Sequence, residues 1–419
     1  MQNTDQFELR LKRTDDAIAL KEPDTVPMAI RVSGAPYYLY EDIGASHATD
    51  FYDYDKSAEA FIRYHEEFQP DVRSEPLRFC GKANEIALPT MLDWPGRPGS
   101  PVPALSTYQV IENEYMLQDE YDEFLSDFSG FMLRKFLPRS FSAFKAFEKF
   151  EFSPVRTLGV GTFQTMFNDE VREMMQNFID MIDEQKKYDR AADVLSEKLD
   201  QMGFPPLSRP FGIVPYDALS DSFRGTLGTF EDLLEVPEKI AEVNKFFVDF
   251  QIKGWKYLET AQMPAKRLFF PLHKGMDGFM SPEQYHELYW EPFQEILKYL
   301  VGIGVTPHIY TEGAYNSRVD YIRERLQELP KASCFIHFEQ GDFAEFKKKF
   351  SGTACLIGGM PIYLLEYGTK QEVVDRVKYL VDNCAAGGGY IMSGSSSCEK
   401  VKRENFEAMF ETARTYGKK

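Results

Sequence analysis

The second half of the chain alternates short apolar runs with longer stretches in which apolar residues recur every three or four positions. The short runs predict strands, and the longer stretches predict amphipathic helices. Five strands are predicted in this way, at residues 266–272, 305–310, 333–338, 353–357 and 389–392. Because repeated strand–helix units build parallel sheets covered by helices, the pattern predicts an α/β fold, a (β/α)8 TIM barrel.

Two of the predicted helices begin with a capping signal. Ser281 is followed three positions later by Gln284, and Thr369 is followed at the same spacing by Glu372. In this arrangement the two side chains satisfy backbone N–H groups that the first helical turn leaves without partners. We therefore expect helices to begin at these two positions, and Pro292 to bend the first of them.

The first half of the chain is less regular. Helical patterns cover residues 57–68, 120–137 and 162–202, and the Pro- and Gly-rich stretch 94–101 is predicted to be a loop. Residues 1 to about 150 are expected to form an elaborated N-terminal region that caps the barrel. Since no linker composition separates them from the rest, we interpret residues 1–419 as a single domain.

Composition narrows the class of protein. With 43% hydrophobic residues the chain can bury a large core, yet no stretch approaches the ~20 consecutive apolar residues of a membrane helix. The first 21 residues are rich in charge and lack the apolar run of a secretory signal. These features predict a cytoplasmic protein without a membrane partner.

Charge and cysteine usage point the same way. The formal net charge is −18 and no Lys/Arg cluster of the kind that neutralises phosphates is present, which argues against a nucleic-acid partner and against a polyanionic substrate. The five cysteines are scattered and include no CxxC pair, so we expect reduced thiols rather than a disulfide framework.

Histidine, tyrosine and carboxylate residues alternate along two predicted strands. Alternation places His308, Tyr310 and Glu312 on one face of a strand, and His337 and Glu339 on one face of the next. In barrel enzymes the carboxyl ends of the strands build the active site. The two strands are therefore expected to supply nitrogen and oxygen donors to a shared mouth.

A thiol completes a possible set of metal ligands. Cys398 follows the last predicted strand in a polar loop, and zinc accepts mixed nitrogen, oxygen and sulfur ligands. The sequence thus predicts a zinc site formed by His308, Glu312, Glu339 and Cys398. Plain structural alternatives stay open: His273 and His337 as hydrogen-bonded core residues, Glu312 as a helix cap or ion-pair partner, Cys398 as a buried thiol and Asp342 as a helix N-cap.

Several familiar catalytic motifs are absent from the sequence. No GxSxG, GxxxxGK[ST] or HExxH pattern occurs, which removes the usual support for nucleophilic hydrolase, P-loop and zincin functions. The glycine runs at 358–359 and 387–389 do not form a dinucleotide-binding GxGxxG. Tight turns or close packing explain them without a phosphate ligand.

Other segments carry a family resemblance. They are FRGT at 223–226, HKGMDGFMS at 273–281, EGAYNSR at 312–318, GGMP at 358–361, GTKQEV at 368–373 and GGYIMS at 388–393. Together they resemble the uroporphyrinogen-decarboxylase-like superfamily, from about residue 26 onward and most clearly beyond residue 265. The resemblance implies a (β/α)8 barrel and either of two activities, decarboxylation or zinc-dependent methyl transfer to or from a corrinoid protein.

The residues favour the methyltransferase branch. The decarboxylases of the family have an arginine-rich motif near the N-terminus, but the matching segment VPMAIRVSG at 26–34 contains only Arg31. The methyltransferases have a His-x-Cys motif after one strand and a Cys after the last. Here Tyr310 and Glu312 stand at the His and Cys positions, and Cys398 matches the last Cys after a small insertion.

The resemblance thus implies a demethylase component that transfers a methyl group from a small donor, such as a phenyl methyl ether, to a corrinoid carried by a partner protein. A zinc ion would act as Lewis acid, and Tyr310, His337 and Asp342 would donate protons to the leaving oxygen. Pairing into a homodimer, which is frequent in the family, is also an expectation. The alternatives are a uroporphyrinogen-type decarboxylase and a non-catalytic corrinoid-binding barrel.

Overall fold

Five parallel strands form the central sheet in this computed structural model, which describes residues 3–30, 35–74, 79–152, 155 and 158–418. Two shorter strands, β1 (Leu92–Asp93) and β2 (Gln109–Val110), pair antiparallel outside it. The sheet has the order β3-β4-β5-β6-β7. Its strands are β3 (Arg267–Leu272), β4 (Thr306–Thr311), β5 (Phe335–Phe338), β6 (Cys355–Met360) and β7 (Tyr390–Gly394). Each overlaps one strand that the hydrophobic pattern predicts.

Helices connect the strands and build the N-terminal half. The α-helices before β3 are Asn3–Ile18, Tyr37–Glu41, Thr49–Tyr52, Tyr54–Phe68, Gly81–Ala87, Tyr121–Ser126, Phe128–Phe131, Leu137–Ser140, Asp169–Gln201, Pro215–Leu219, Gly225–Glu235 and Pro237–Gly254. Those after β3 are Pro282–Gln284, Glu291–Gly302, Val319–Leu326, Phe343–Phe350, Ile362–Glu366, Lys370–Leu380 and Arg403–Tyr416. Four 3-10 segments (Gln118–Glu120, Ser142–Lys149, Gly159–Met166, Lys256–Glu259) and four π segments (Met132–Phe136, Ser220–Arg224, Tyr285–Trp290, Val381–Ala385) complete the described helical structure.

Both predicted capping boxes are present. Ser281 and Gln284 satisfy each other's backbone N–H groups, and Thr369 and Glu372 do the same. Beyond Ser281 the helical path widens into the π segment Tyr285–Trp290 just before Pro292. A proline at that position leaves a carbonyl of the preceding turn without its helical donor, and the Asn244 side chain donates to the Leu288 carbonyl at 2.6 Å.

The two faces of the sheet bury different residues. Leu268, Ile309 and Leu356 point outward into the large apolar core beneath the helices. Phe335, Cys355, Ile357 and Ile391 belong to a second cluster that also contains Ala17, Ile18, Ala29 and Val72. Both faces of the sheet therefore bury apolar residues, as expected for parallel strands covered on both sides.

Short bridges continue from both edges of the sheet. Met28 bridges Met392 on β7, Arg73 bridges Pro206, and Arg209 and Phe211 bridge Arg267 and Phe269 on β3. The Asp71 N–H donates to the Met28 carbonyl at 2.9 Å. Among the described residues, these segments form isolated β-bridges and no continuous strands. The structure therefore shows a mixed α/β fold with a five-stranded parallel sheet.

The glycines of β6 serve close packing. Gly358 and Gly359 have φ values of +119° and +98°. A Cβ atom on Gly358 would lie 2.8 Å from the Phe343 ring, and one on Gly359 would lie 2.7 Å from a methyl group of Leu380. This agrees with packing, rather than a phosphate ligand, as the reason for the glycine pair. None of the described helices combines the length and apolar character needed to cross a membrane.

Candidate functional site

The segment that leaves β3 is anchored by a buried carboxylate. Asp217 lies on the short helix Pro215–Leu219, and its two oxygens accept the backbone N–H groups of His273 and Lys274, each at 2.9 Å. The hydroxyl of Tyr289 donates to the same carboxylate at 2.7 Å. Burial raises the pKa of Asp217 to about 6. Asp217 thus fixes the position in which the two following side chains leave the strand.

The His273 imidazole lies between two further carboxylates. Its Nδ1 atom is 2.5 Å from Oδ2 of Asp221, and its Nε2 atom is 3.5 Å from Oε2 of Glu312. Burial alone would lower the pKa of His273, but the hydrogen bond with Asp221 and the nearby acidic charges outweigh it and raise that pKa to about 9. The ring is therefore a cation at neutral pH and has a proton to give.

Lys274 extends the charged surface on the other side. Its Nζ atom donates to Thr226 Oγ1 at 2.7 Å and lies 3.3 Å from Oε1 of Glu112 and 3.5 Å from Oδ1 of Asp221. We call the whole group the His273 cluster; its members are Glu112, Asp217, Asp221, His273, Lys274 and Glu312. It combines two cations with four carboxylates at the carboxyl ends of β3 and β4, where enzymes of parallel α/β architecture place their active sites.

Three polar rings, those of His308, Tyr310 and His337, are more deeply buried than the His273 ring. They lie on the inward face of β4 and β5, which is opposite to the one that contacts the large apolar core. The ring centroids of Tyr310 and His337 are 4.6 Å apart, and those of His308 and His337 are 6.2 Å apart. The His308 Nδ1 atom is 2.9 Å from Ser208 Oγ. The Tyr310 hydroxyl donates to the Ser395 carbonyl at 3.4 Å, and His337 Nε2 lies 3.0 Å from the carbonyl oxygen of Gly394. The predicted common face of His308 and Tyr310 therefore exists.

A cavity of about 340 Å³ opens beside these rings. Its walls are formed by Ile30, Val72, Arg73, Ser74, Pro206, Leu207, Ser208, Arg209, Pro210, Phe211, Phe269, His308, His337 and Ile357. The lining is mostly apolar and aromatic, with two arginines and two histidines. Such a composition is typical of sites for small organic molecules.

The four predicted zinc ligands do not converge. Glu312 faces His273, Glu339 accepts the backbone N–H of Gly313, and His308 lies deeper beside Ser208. Among the described residues, no group of three or more His, Cys, Asp or Glu side chains could hold a metal ion.

Cys398 differs most from its predicted role. It is fully buried in the apolar core, and burial raises the pKa of its thiol well above the ordinary value. Metal binding needs the thiolate, which this surrounding disfavours. The predicted residues as arranged here do not fit a zinc ion, so no chemical step below passes through one.

Asp342 has a structural position. Its side chain accepts the N–H groups of Ala344 and Glu345 at 3.0 and 3.2 Å, which makes it the N-cap of the helix Phe343–Phe350. This is the alternative that the sequence left open for Asp342. Arg31, the one arginine of the predicted decarboxylase motif, lies outside the described residues.

The sequence gives no local sign of the two aspartates that hold His273. Asp217 and Asp221 precede it by 56 and 52 positions. Their spacing of four residues places both on one side of a helix. This spacing is the one feature of the sequence that could have pointed to the pair. Two acidic residues one turn apart are common on exposed helix surfaces, so the pattern becomes informative only with the fold in hand.

No protein-family model and no curated protein matches the chain. The fold resembles that of a methyltransferase from Methanosarcina mazei, with a TM-score of 0.58 and 11% sequence identity. The similarity covers 97% of this chain and 98% of the other. At this identity the likeness establishes a shared fold over the full length and nothing finer.

Proposed function

We propose that this protein is a methyltransferase that moves a methyl group from a small donor, such as a phenyl methyl ether, to a corrinoid carried by a partner protein. The observation that carries the proposal is the His273 imidazole, held between Asp221 and Glu312 at the strand ends. The full-length likeness to the fold of a methyltransferase supports it. Family resemblance in the sequence points to the same chemistry.

The proposed reaction needs a proton at the donor oxygen. The corrinoid of the partner protein would supply the nucleophile that takes the methyl group, and as the methyl carbon bonds to this acceptor the carbon–oxygen bond of the donor would break, with its electron pair staying on oxygen. The His273 imidazolium gives its proton to that oxygen, so a phenol leaves rather than a phenolate. Solvent then returns a proton to His273.

The neighbours of His273 act by position and charge. Asp221 fixes the orientation of the ring through Nδ1, which leaves Nε2 as the atom that faces the mouth and donates. Glu312 lies on that side and stabilises the cation between turnovers. Tyr310 and His337, which the sequence predicts to be proton donors, lie deeper and contact backbone carbonyls.

The fold proposed to hold this site is the complete (β/α)8 barrel. The bridges at Met28, Arg73, Arg209 and Phe211 lie in three segments, and this supports the proposal that these segments take the positions of three further strands. In a closed barrel all eight strand ends share one mouth, where a corrinoid protein would dock. Binding of zinc by this protein stays a prediction from the sequence.

The test is methyl transfer to chemically reduced cob(I)alamin with 4-methoxyphenol as the donor, followed through the absorbance of methylcobalamin. We expect turnover in the wild type and a loss of about 10²–10⁴-fold in His273→Gln, the usual contribution of a positioned proton donor. His286→Gln is the matched control, since His286 is 46% exposed on its helix. Equal rates of methyl transfer in His273→Gln and His286→Gln would show that His273 takes no part in the reaction. In a separate assay, release of carbon dioxide from a porphyrinogen would favour the decarboxylase alternative.

A further inference from the structure

The long helix Asp169–Gln201 has more apolar surface than its own chain covers. Its inner face buries Val171 and Met174 near the start of the helix. A second set of apolar residues has the spacing that aligns side chains along one side of a helix, and each is at least partly exposed: Met175, Phe178, Ile179 and Ile182. A helix with a second apolar stripe of this kind has a face left for a partner helix.

The segment that leads into this helix adds exposed surface without charge. It reads LGVGTFQTMF from 158 to 167 and contains no charged residue, in a chain with 27% charged residues. Four of its large apolar residues are exposed: Leu158, Val160, Phe163 and Phe167. Two copies of a chain with a net charge of −18 repel each other, so an uncharged surface is where they can approach at least cost.

The exposed area is large enough for one side of a stable interface. We call the four residues of the segment and the four of the helix stripe the apolar face. Exposed fractions within it reach 91% at Leu158 and 52% at Ile179. With about 150–250 Å² for each large apolar residue, the apolar face presents on the order of 700 Å² to water. A standard interface buries about 800 Å² on each partner, of which rather more than half is apolar.

Charged residues at the two ends of the stripe are placed to pair with a second copy. Arg172 and Asp183 are both exposed, and their separation of eleven residues is close to three helical turns, so they lie on the same side of the helix. Within one helix they are about 16 Å apart along the axis and cannot meet. When two copies of the helix cross antiparallel at the middle of the stripe, Arg172 of each copy lies opposite Asp183 of the other.

We propose that two copies of this chain pair through the apolar face, with their long helices antiparallel about a two-fold axis. Such an interface uses the same surface on both copies, and the positions of Arg172 and Asp183 on either side of the stripe make that surface complementary to itself. Asp183 also lies 3.8 Å from Lys186, but that contact is exposed and weak. The apolar face lies outside the segments on which the family resemblance rests, and the inference does not depend on the proposed function.

A lipid surface is the other partner that an exposed apolar face can meet. Helices that lie on membranes have lysine and arginine on their polar side. Here the first turn of the helix contains Asp169 and Glu170, and the chain as a whole is acidic. These charges favour a second copy over a membrane.

Sedimentation velocity of the full-length protein at micromolar concentration tests the pairing. We expect the wild type to have twice the mass of one chain, and Ile179→Lys to weaken the dimer at least about tenfold, because a charge would be buried at the centre of the interface. The new lysine makes the chain less acidic, so general repulsion between copies falls and a loss of dimer has to come from the apolar face. Leu234→Lys is the matched control at an 81% exposed leucine of another helix, and it should stay dimeric.

A monomeric wild type would overturn the inference, as would a dimer that Ile179→Lys leaves intact or that Leu234→Lys dissociates. Since Ile179 is exposed in the single chain, its substitution should not disturb folding, which circular dichroism checks. Binding of a monomeric wild type to phosphatidylcholine vesicles would assign the apolar face to a lipid surface instead.

Exchanging the two charges tests the antiparallel arrangement. Arg172→Asp brings carboxylates together across the interface and Asp183→Arg brings guanidinium groups together, so each variant alone is expected to weaken the dimer at least about tenfold. In an equimolar mixture of the two variants, every mixed dimer regains oppositely charged pairs. We expect the mixture to associate as tightly as the wild type. Single variants that pair normally, or a mixture that pairs no better than either variant alone, would contradict the antiparallel arrangement.

Discussion

The Nε2 atom of His273 lies 3.5 Å from Oε2 of Glu312, across the ends of two adjacent parallel strands. The opposite side of the same ring is held by Asp221, at 2.5 Å from Nδ1. Each partner comes from a different part of the chain, so only the folded protein assembles the group. This arrangement keeps a charged imidazole at the carboxyl-terminal edge of the sheet.

Asp221→Asn is expected to lower the pKa of His273. The wild-type value of about 9 depends on the hydrogen bond and charge that Asp221 supplies. Removing an adjacent opposite charge typically shifts a pKa by about 1–3 units. The measurement is NMR titration of the imidazole nitrogens, with Asp249→Asn as a control at an exposed carboxylate. An unchanged titration in Asp221→Asn would show that Asp221 does not hold the proton on His273.

The same group makes stability depend on pH. The folded pKa of His273, about 9, exceeds its ordinary value of 6.5. Its contribution to the free energy of unfolding is therefore fully present below pH 6.5 and is lost as the pH rises through about 9. Urea unfolding between these pH values should show this loss in the wild type and a smaller one in His273→Gln. Asp217, with a pKa raised from 3.8 to about 6, lowers the free energy of unfolding as the pH rises between these two values, which lie below the His273 range, so it does not mask the effect.

Glu312→Ala separates the metal prediction from the ion-pair arrangement. The sequence predicts that this substitution removes bound zinc. In the structure Glu312 faces His273, so we expect a lower rate of methyl transfer and a metal content equal to that of the wild type. Elemental analysis of the two purified proteins decides. Zinc present in the wild type and absent from Glu312→Ala would establish Glu312 as a ligand.

Hydrophobic periodicity predicted the five strands of the parallel sheet and the starts of two helices, because it is a local property. The strands of the sheet and the helices that begin at Ser281 and Thr369 follow from spacing within a single segment. The alternation that puts His308 and Tyr310 on one face of β4 is local as well, and ring contacts with His337 agree with it.

Contacts between residues far apart in the sequence could not be predicted in the same way. The pairing of His273 with Asp221 depends on where the fold places the π segment Ser220–Arg224 relative to the residue that follows β3, which no pattern within either segment specifies. The loop after β7 was predicted to deliver the Cys398 thiol to the mouth, yet this residue turns into the apolar core. A polar loop sequence fixes exposure of the loop and leaves the direction of a single apolar side chain open.

Asp342→Ala tests a predicted catalytic residue that caps a helix. Loss of an N-cap typically costs about 0.5–2 kcal/mol, because backbone N–H groups of the first turn lose their acceptor. We expect that decrease in the free energy of unfolding, together with an unchanged rate of methyl transfer. Asp342→Asn retains a capping oxygen and should have nearly wild-type stability. A large loss of rate in both variants, at normal stability, would restore Asp342 to the reaction.

Asp232→Ala tests the buried ion pair beneath the site. The guanidinium of Arg224 is 1% exposed and donates to Asp232 at 2.6 and 3.0 Å. Removing the carboxylate leaves a buried positive charge, which commonly costs about 3–5 kcal/mol. Glu114 still lies 2.8 Å from Arg224, so the lower end of that range is expected.

The exposed pair of Lys245 and Asp249 provides the control, since its atoms are 3.9 Å apart and both side chains are largely in solvent. Asp249→Ala should cost about 0–1 kcal/mol. The helix Gly225–Glu235 that contains Asp232 also contains Thr226, which accepts a hydrogen bond from Lys274. Asp232→Ala should therefore lower the rate of methyl transfer as well as the free energy of unfolding. If Asp232→Ala and Asp249→Ala reduce the free energy of unfolding in urea equally, the buried pair does not anchor this helix.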